Sequence, residues 1–557
     1  MKESSGDGKG FGARLFRSSK KKQYGVWPPP YTTLAEVLRA RAQTQPDRLA
    51  YVHLKDGETE SERITYGELE ARARAIAARL QQKLDVGSRA LLLYQPGIEY
   101  ICAFLGCIYA GAAAVPAYPP DPNPKRLGRT LPRLLAIMRD ADLSAILTTS
   151  DIASVAGPLL AQSPDCAAVE RIATDTVPNS LAEQWKEPAI TGGSVAFIQY
   201  TSGSTASPKG VMVSHTNLLY NFEDLDASNE HDPTSVMVTW LPMYHDMGLV
   251  FGILIPLYVG FPCYFMAPMD FLSKPVRWLQ AITKYKATHT GAPNFALDYC
   301  VRRISPEERA ALNLRNLEYI AEGSEPVRKS TLELVIAAYK PCGLRETAIC
   351  PSYGMAESVL KMTVNPKPDP IVYCCVSSTE LEQRRVKEVA PGAPDAYTLV
   401  GCGKGQLETR VEIVDPETLK RAAPDSVGEI WITSPGVCLG YWRRPEETRE
   451  TFQAHLADTG EGPFLRTGDL GFFLRGELYI TGRIKDLIIL HGANYYPQDF
   501  EAVAEESHPA LRPGCCAAFP LDAGGEEQVV IVQEVDEKRM AGVDPAEVAA
   551  AIRQAIR

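Results

Sequence analysis

Beyond Pro28-Pro29-Pro30 the chain alternates helical and strand periodicities for several hundred residues. Thr65-x-x-Glu68 has the form of a capping box, and Leu69, Ala73, Ile76 and Leu80 follow at steps of four, three and four, which predicts a helix with one apolar face. Ala90 to Tyr94 is a short apolar run that stops at Gln95-Pro96-Gly97, the pattern of a buried strand and its turn. Ile101 to Ala110 then suits a helix packed on that strand. This βα rhythm predicts a layered α/β body. The clearest break falls at Gly482-Arg483-Ile484-Lys485-Asp486. After it come an apolar run Leu487 to Leu490, a helix over Gln498 to Glu506, a strand over Gln528 to Glu534 and a helix after Pro545, which together predict a small mobile α+β subdomain. No repeat recurs at a fixed period.

Composition narrows the class. A length of 557 residues is several times that of a usual domain, ~100–150 residues, and excludes a single small binding module. Hydrophobic residues at 45% and charged residues at 23% are those of a globular protein rather than a disordered or collagen-like chain. The net charge of −10 has the wrong sign for a protein whose main ligand is a nucleic acid or an anionic membrane surface. Small molecules and proteins are the expected partners. The 13 cysteines are scattered, with no spacing that would hold zinc, and read as buried thiols of a cytoplasmic protein. Tyr100 to Pro116 is short for a membrane span, and Leu249 to Ala267 is broken by Gly252, Pro256, Gly260 and Pro262, so both read as core and no stable membrane insertion is expected. Residues 1–30 carry Lys2, Lys9, Arg14, Arg17 and Lys20 to Lys22 against Glu3 and Asp7, which predicts a basic flexible tail.

Four segments carry candidate chemistry. Ser194 to Tyr200 reads as a strand, Val211 to Val213 as a second, and between them lies Thr201-Ser202-Gly203-Ser204-Thr205-Ala206-Ser207-Pro208-Lys209-Gly210. Backbone N–H groups, hydroxyls and one lysine on a tight loop suit phosphate oxygens, although an ordinary Ser/Gly hairpin turn has the same composition. It is not a Walker A loop, because Pro208 stands where that motif needs Gly and Gly210 where it needs Ser or Thr. Tyr353-Gly354-Met355-Ala356-Glu357 sets an aromatic ring and a carboxylate four residues apart, suited to a purine face and a hard metal ion. Thr467-Gly468-Asp469 offers a carboxylate that can accept both hydroxyls of a ribose, or simply shapes a turn. Tyr244-His245-Asp246-Met247-Gly248 places a polar pair at the head of an apolar wall, where a structural role is the usual one.

In this order and at these separations the segments resemble the adenylate-forming superfamily of acyl-CoA synthetases, peptide-synthetase adenylation domains and luciferases. The resemblance covers roughly Tyr31 to Arg557. The Tyr244 to Leu249 segment, Glu322-Gly323-Ser324-Glu325-Pro326-Val327 and Gly492-Ala493-Asn494-Tyr495-Tyr496-Pro497 are most similar to the fatty acyl-AMP ligases. The fold implied is α/β, a large N-terminal body of layered sheets and helices over residues 31–483 with a small C-terminal α+β subdomain over 484–557. A branch-specific insertion is expected within Val372 to Val400, which reads as irregular.

The resemblance also implies roles. Ser202, Gly203, Ser204, Thr205 and Lys209 go to the phosphates of ATP, Tyr353-Gly354-Met355 to the adenine face with Gly323 and Ser324 at its edge, and Asp469 with Arg483 to the ribose. Glu357 goes to Mg²⁺, Lys485 to the hinge and His245 to the fatty-acid carboxylate; Lys209, Glu357 and His245 stand nearest the chemistry. The implied reaction is activation of a fatty acid to acyl-AMP with release of pyrophosphate, then transfer to the phosphopantetheine thiol of an acyl carrier protein. A CoA ligase and a non-catalytic acyl-adenylate or AMP-binding module are the rival readings. The superfamily's catalytic lysine belongs in a loop after the segment ending at Ile556-Arg557, and no lysine follows Lys538. The expectation is therefore an incomplete subdomain, a piece of a longer polypeptide and a weakly active chain.

Overall fold

The computed structural model describes residues 24–118, 124–161, 169–201, 208–490, 493–522 and 527–556. Two large sheets stand at its centre. One has six strands in the order Glu170–Ala173, Ala145–Thr148, Arg89–Leu93, Ala113–Ala117, Val195–Tyr200 and Gly210–Ser214, parallel except for the last hairpin. The other has eight, running from Lys361–Val364 through Ile349–Gly354, Tyr319–Glu322, His289–Ala292, Met237–Thr239, Cys263–Phe265 and Leu49–Lys55 to Thr59–Thr65. Its interior pairs are parallel and its two edge pairs antiparallel. The α/β class follows from the crossovers these parallel pairs require.

Helix Ile98–Ala110 has only Glu99 outside the buried set, and the Arg72 guanidinium holds that carboxylate at 3.0 Å. A helix apolar all round must lie inside. Beside it runs helix Tyr66–Gln81, where Thr65 and Glu68 form the expected reciprocal cap and Leu69, Ala73, Ile76 and Leu80 are fully buried. The stretch Leu249 to Ala267 is core, as its breaks predicted: a wide-turn helix Met247–Leu254, a helical turn Ile255–Val259 and the strand Cys263–Phe265. No helix among the described residues is long and apolar enough to cross a membrane. The cysteines among the described residues carry free thiols, most of them buried, while Cys166 lies outside the described residues.

The second half adds a four-stranded antiparallel sheet in the order Arg410–Val414, Gly428–Thr433, Leu465–Leu474 and Glu477–Arg483. After Arg483 come a short pair, Ile488–Leu490 with Ala493–Tyr495, the helix Pro497–Glu506, a long hairpin Leu511–Asp522 with Glu527–Val535, and the helix Pro545–Ile556. The sequence pattern anticipated the elements after Arg483 except the strands Ala493–Tyr495 and Leu511–Asp522, the second of which has its alternation interrupted by Pro513, Gly514 and Pro520.

Two expectations change. Val372 to Val400 is not irregular: Tyr373–Ser377 pairs antiparallel with Ala396–Val400, and Ser378–Leu381 forms a helical turn between them. The turn-forming run Pro391-Gly392-Ala393-Pro394 and a mixed-charge stretch concealed two short strands. At the other end, residues 24–27 are held rather than loose. Val26 N–H donates to Glu223 Oε2 at 2.5 Å, and the Trp27 ring meets Tyr220 edge-on at 4.9 Å.

The Val372 to Val400 hairpin also touches the C-terminal elements. The Tyr397 hydroxyl donates to Asp499, Asn494 Nδ2 donates to the Glu382 carbonyl at 2.9 Å, and Tyr496 packs with Cys374, Val376 and Leu399. Burial pushes the Asp499 carboxyl up to about 6, against the lowering effect of the Tyr397 hydroxyl. A carboxyl raised in the folded state contributes stability below its ordinary range and loses it as pH rises through about 6. Hydrogen-exchange protection of helix Pro497–Glu506, taken relative to the intrinsic rate at each pH, is therefore expected to rise from about pH 7.5 to about pH 5, and Asp499→Asn to flatten that dependence. An identical pH profile in wild type and variant would contradict this.

Candidate active site

The second half of the molecule closes over the C-terminal edges of both large sheets, leaving a cleft of about 1200 Å³. Tyr353 ends a strand of the eight-stranded sheet, and Asp469 and Arg483 are register partners on the four-stranded one. The Tyr353 hydroxyl donates to Asp469 Oδ2 at 2.6 Å, and Arg483 Nε lies 2.8 Å from Oδ1. Burial still raises the Asp469 carboxyl above its usual range, with Arg483 and Tyr353 opposing it, while Asp469 in turn raises Arg483. The turn before Asp469 is fixed independently. Thr467 Oγ1 donates to the Ile430 carbonyl at 2.7 Å, and Gly468 N–H donates to Glu429, which Arg466 grips through two nitrogens.

Glu357 sits 8% exposed in the cleft wall. The Tyr441 hydroxyl donates to its Oε1 at 2.9 Å, and burial raises its pKa. Lys209, leaving the loop for the strand Gly210–Ser214, reaches Glu447 at 2.5 Å and lies 5.0 Å from the Tyr441 ring centroid. His245 Nδ1 is 2.7 Å from Asp246 Oδ1, and that carboxylate raises the imidazole above its usual pKa despite partial burial. Asp246 also accepts the Met247 N–H at 2.6 Å, capping the apolar helix behind it.

Backbone approach explains two glycines. A Cβ on Gly354 would stand 1.7 Å from the Leu360 carbonyl oxygen, and one on Gly323 would stand 2.9 Å from that of Ser352. Ser324 follows with φ at 72°, a conformation uncommon for a residue with a Cβ, and its hydroxyl meets the Met247 sulfur at 3.3 Å. Lys209, His245, Gly323, Ser324, Tyr353, Gly354, Met355, Glu357, Asp469, Arg483 and Lys485 all line the one cleft. Ser202, Gly203, Ser204 and Thr205 lie outside the described residues.

The cleft also has an apolar lining, Phe251, Leu225 and Leu360 among it. Residues 38–442 of the chain are matched by the family model described as AMP-binding enzyme. The chain belongs to that family. It is an acid-adenylating ligase of the α/β class expected from its motifs. It is similar to the medium-chain-fatty-acid–[acyl-carrier-protein] ligase JamA of Moorena producens, 44% identical over 95% of this chain and 89% of that one. The long-chain-fatty-acid–AMP ligase FadD32 of Mycobacterium marinum is 36% identical over 90% and 82%. Among solved structures, the fatty acyl-adenylate ligase of Legionella pneumophila in complex with acyl adenylate and pyrophosphate is 38% identical, with a TM-score of 0.78 over 94% of this chain and 89% of that one.

The family's motifs led to the residues within them but not to their supports. Tyr441, Glu447, Glu429 and Arg466 line the cleft or brace it, and each is separated in sequence from the group it holds. The only local signal was the aromatic and basic run Tyr441-Trp442-Arg443-Arg444 after Gly440. Because Tyr441 supplies a hydroxyl donor to a buried carboxylate, Tyr441→Phe is expected to destabilise the fold by about 1–3 kcal/mol. Denaturant midpoints of the two proteins check this, and equal midpoints would show that solvent replaces the hydroxyl.

Proposed function

We propose that the protein uses ATP to activate a fatty acid as acyl-AMP and passes the acyl group to the phosphopantetheine thiol of an acyl carrier protein. The observation carrying this reading is that nucleotide-type groups and an apolar lining share one cleft. Relatives acting on fatty acids and carrier proteins support the substrate classes.

A free carboxylate resists nucleophiles because its leaving group would be oxide. Its oxygen attacks the α-phosphorus, pyrophosphate leaves, and AMP becomes a stable leaving group. The thiol sulfur then attacks the acyl carbon, AMP departs and the thiol proton goes to solvent. Neither step needs a protein nucleophile; positioning and charge neutralisation supply the rate.

In this reading Asp469 accepts the ribose hydroxyls and Arg483 keeps it charged, Tyr353 covers the adenine, and Gly323 with Ser324 bounds its edge. Lys209 exchanges Glu447 for phosphate oxygens. His245, kept cationic more readily by Asp246, faces the substrate carboxylate. Mg²⁺ fits Glu357, a hard oxygen donor whose Oε1 alone accepts Tyr441. No cluster of three or more His, Cys, Asp or Glu residues suits a metal among the described residues, in keeping with an ion that takes its other ligands from phosphates and water. When bound it would neutralise phosphate charge. Lys485, in the turn Ile484–Asp486, lies at the hinge between residues 31–483 and 484–557. Burial of about ten methylenes at ~0.8 kcal/mol each would supply roughly 8 kcal/mol before ordering costs.

Asp469→Ala is expected to weaken binding of a non-hydrolysable acyl-adenylate analogue by a few kcal/mol while leaving fatty-acid binding nearly intact. Calorimetry on the folded variant decides, and normal analogue affinity would remove the ribose role. Carrier protein as acceptor is tested separately by incubating acid, ATP and Mg²⁺ with either CoA or a phosphopantetheinylated carrier protein. Acyl transfer should favour the carrier protein. Shortening the hairpin within Val372 to Val400, which holds Asn494 and Asp499, should raise transfer to CoA. An unchanged ratio would make the hairpin irrelevant to acceptor choice.

A further inference from the structure

Lys209 is anchored at its backbone and held at its tip. Thr201 N–H donates to the Lys209 carbonyl at 3.1 Å and Trp442 N–H to the Gly210 carbonyl at 2.7 Å, so the main chain around it is fixed on two sides. Its ammonium stands 2.5 Å from Glu447 Oε2, on the helix Pro445–Phe452, and 5.0 Å from the centroid of the Tyr441 ring. Lys209 and Tyr441 line the cleft, whereas Glu447 stands outside its lining. The carboxylate therefore draws the ammonium toward the wall.

Glu447 is bound twice. Its Oε1 lies 3.3 Å from Arg444 Nη1, and Arg444 Nη2 lies 3.0 Å from Asp140 Oδ1, while the other Asp140 oxygen accepts the Tyr200 hydroxyl at 2.7 Å. Arg444 thus bridges two carboxylates, one on helix Pro124–Ala141 and one on helix Pro445–Phe452. Withdrawing it would loosen both. Lys209 differs, because Glu447 keeps Arg444 when the ammonium departs. The departing partners are also about a third exposed, so water solvates what they give up. Only the flexible lysine stem has to turn. Of the two cations on Glu447, Lys209 is the one that leaves at small cost.

We propose that Glu447 is a positioning residue that stands in for phosphate: it parks the Lys209 ammonium between turnovers, competes with ATP and pyrophosphate for it, and takes it back as pyrophosphate leaves. This rests on the adenylation reading, in which Lys209 meets the phosphates, and adds to it a residue that holds the lysine rather than the ligand. A carboxylate on the same chain competes at a high effective concentration without having to diffuse in. It therefore weakens each capture of the outer phosphates by a constant factor, and speeds their release by removing the cation that held them.

The test is calorimetry of the whole chain with ATP, pyrophosphate and AMP, each with Mg²⁺ and without fatty acid. Glu447→Gln keeps the shape of the side chain and removes its charge. It should bind ATP and pyrophosphate about three- to fivefold more tightly than wild type, the size of a screened ion pair taken out of competition, with AMP affinity within about twofold. In a Lys209→Met background the same exchange should bring no gain, since no ammonium remains to be freed. Unchanged or weaker ATP binding by folded Glu447→Gln overturns the proposal, because a merely structural brace loosens the site when it is removed. An equal gain in the Lys209→Met background also overturns it, by showing that Glu447 repels phosphate directly. So does an equal gain for AMP, which lacks the outer phosphates. Failure of the wild type to bind any of the three would overturn the adenylation reading, and the proposal with it.

Discussion

The cleft depends on one buried carboxylate. Asp469 is 4% exposed and holds two groups from different places in the chain, the hydroxyl of Tyr353 on the eight-stranded sheet and the guanidinium of Arg483 at the end of the four-stranded sheet. A carboxylate taken out of water must be satisfied or it will protonate or unfold its surroundings. Meeting that requirement pins the second half of the chain over the first. The backbone before Asp469 cannot adjust freely either, since Glu429 and Arg466 fix the preceding turn.

The same logic recurs around the cleft. Glu357 relies on Tyr441, Lys209 on Glu447, His245 on Asp246 and Lys361 on Asp224. These pairs differ in exposure, and the difference separates their uses. Lys209 and Glu447 are each about a third exposed, so water screens the pair and separating it costs little. Lys361 and Asp224 are shut away from water, so that pair behaves as part of the wall. Two lysines in one cleft are thus suited to opposite tasks, one to be released by a ligand and one to stay fixed.

Contacts at the C-terminal elements are of a third kind. The hairpin within Val372 to Val400 holds them through the Glu382 carbonyl, which accepts both the backbone and the side-chain N–H of Asn494, the Tyr397 hydroxyl and a small apolar cluster around Tyr496. Such an interface is modest beside the main core.

The local patterns of the chain were legible from composition and spacing. The capping box at Thr65 and Glu68, the all-apolar helix before Ala110, the strands flanking the Lys209 loop and the break at Arg483 depend on neighbours in sequence, where periodicity and turn chemistry act directly. The motifs around Tyr353, Asp469 and His245 were weak singly and became legible through their order and separations, by resemblance to the adenylate-forming superfamily. The tertiary structure decided which side chains satisfy these groups. Tyr441 reaches Glu357 across 84 residues, Tyr353 reaches Asp469 across 116 and Lys361 reaches Asp224 across 137. No periodicity records such pairings, because they arise only when sheets remote in sequence meet and buried charge has to find a partner.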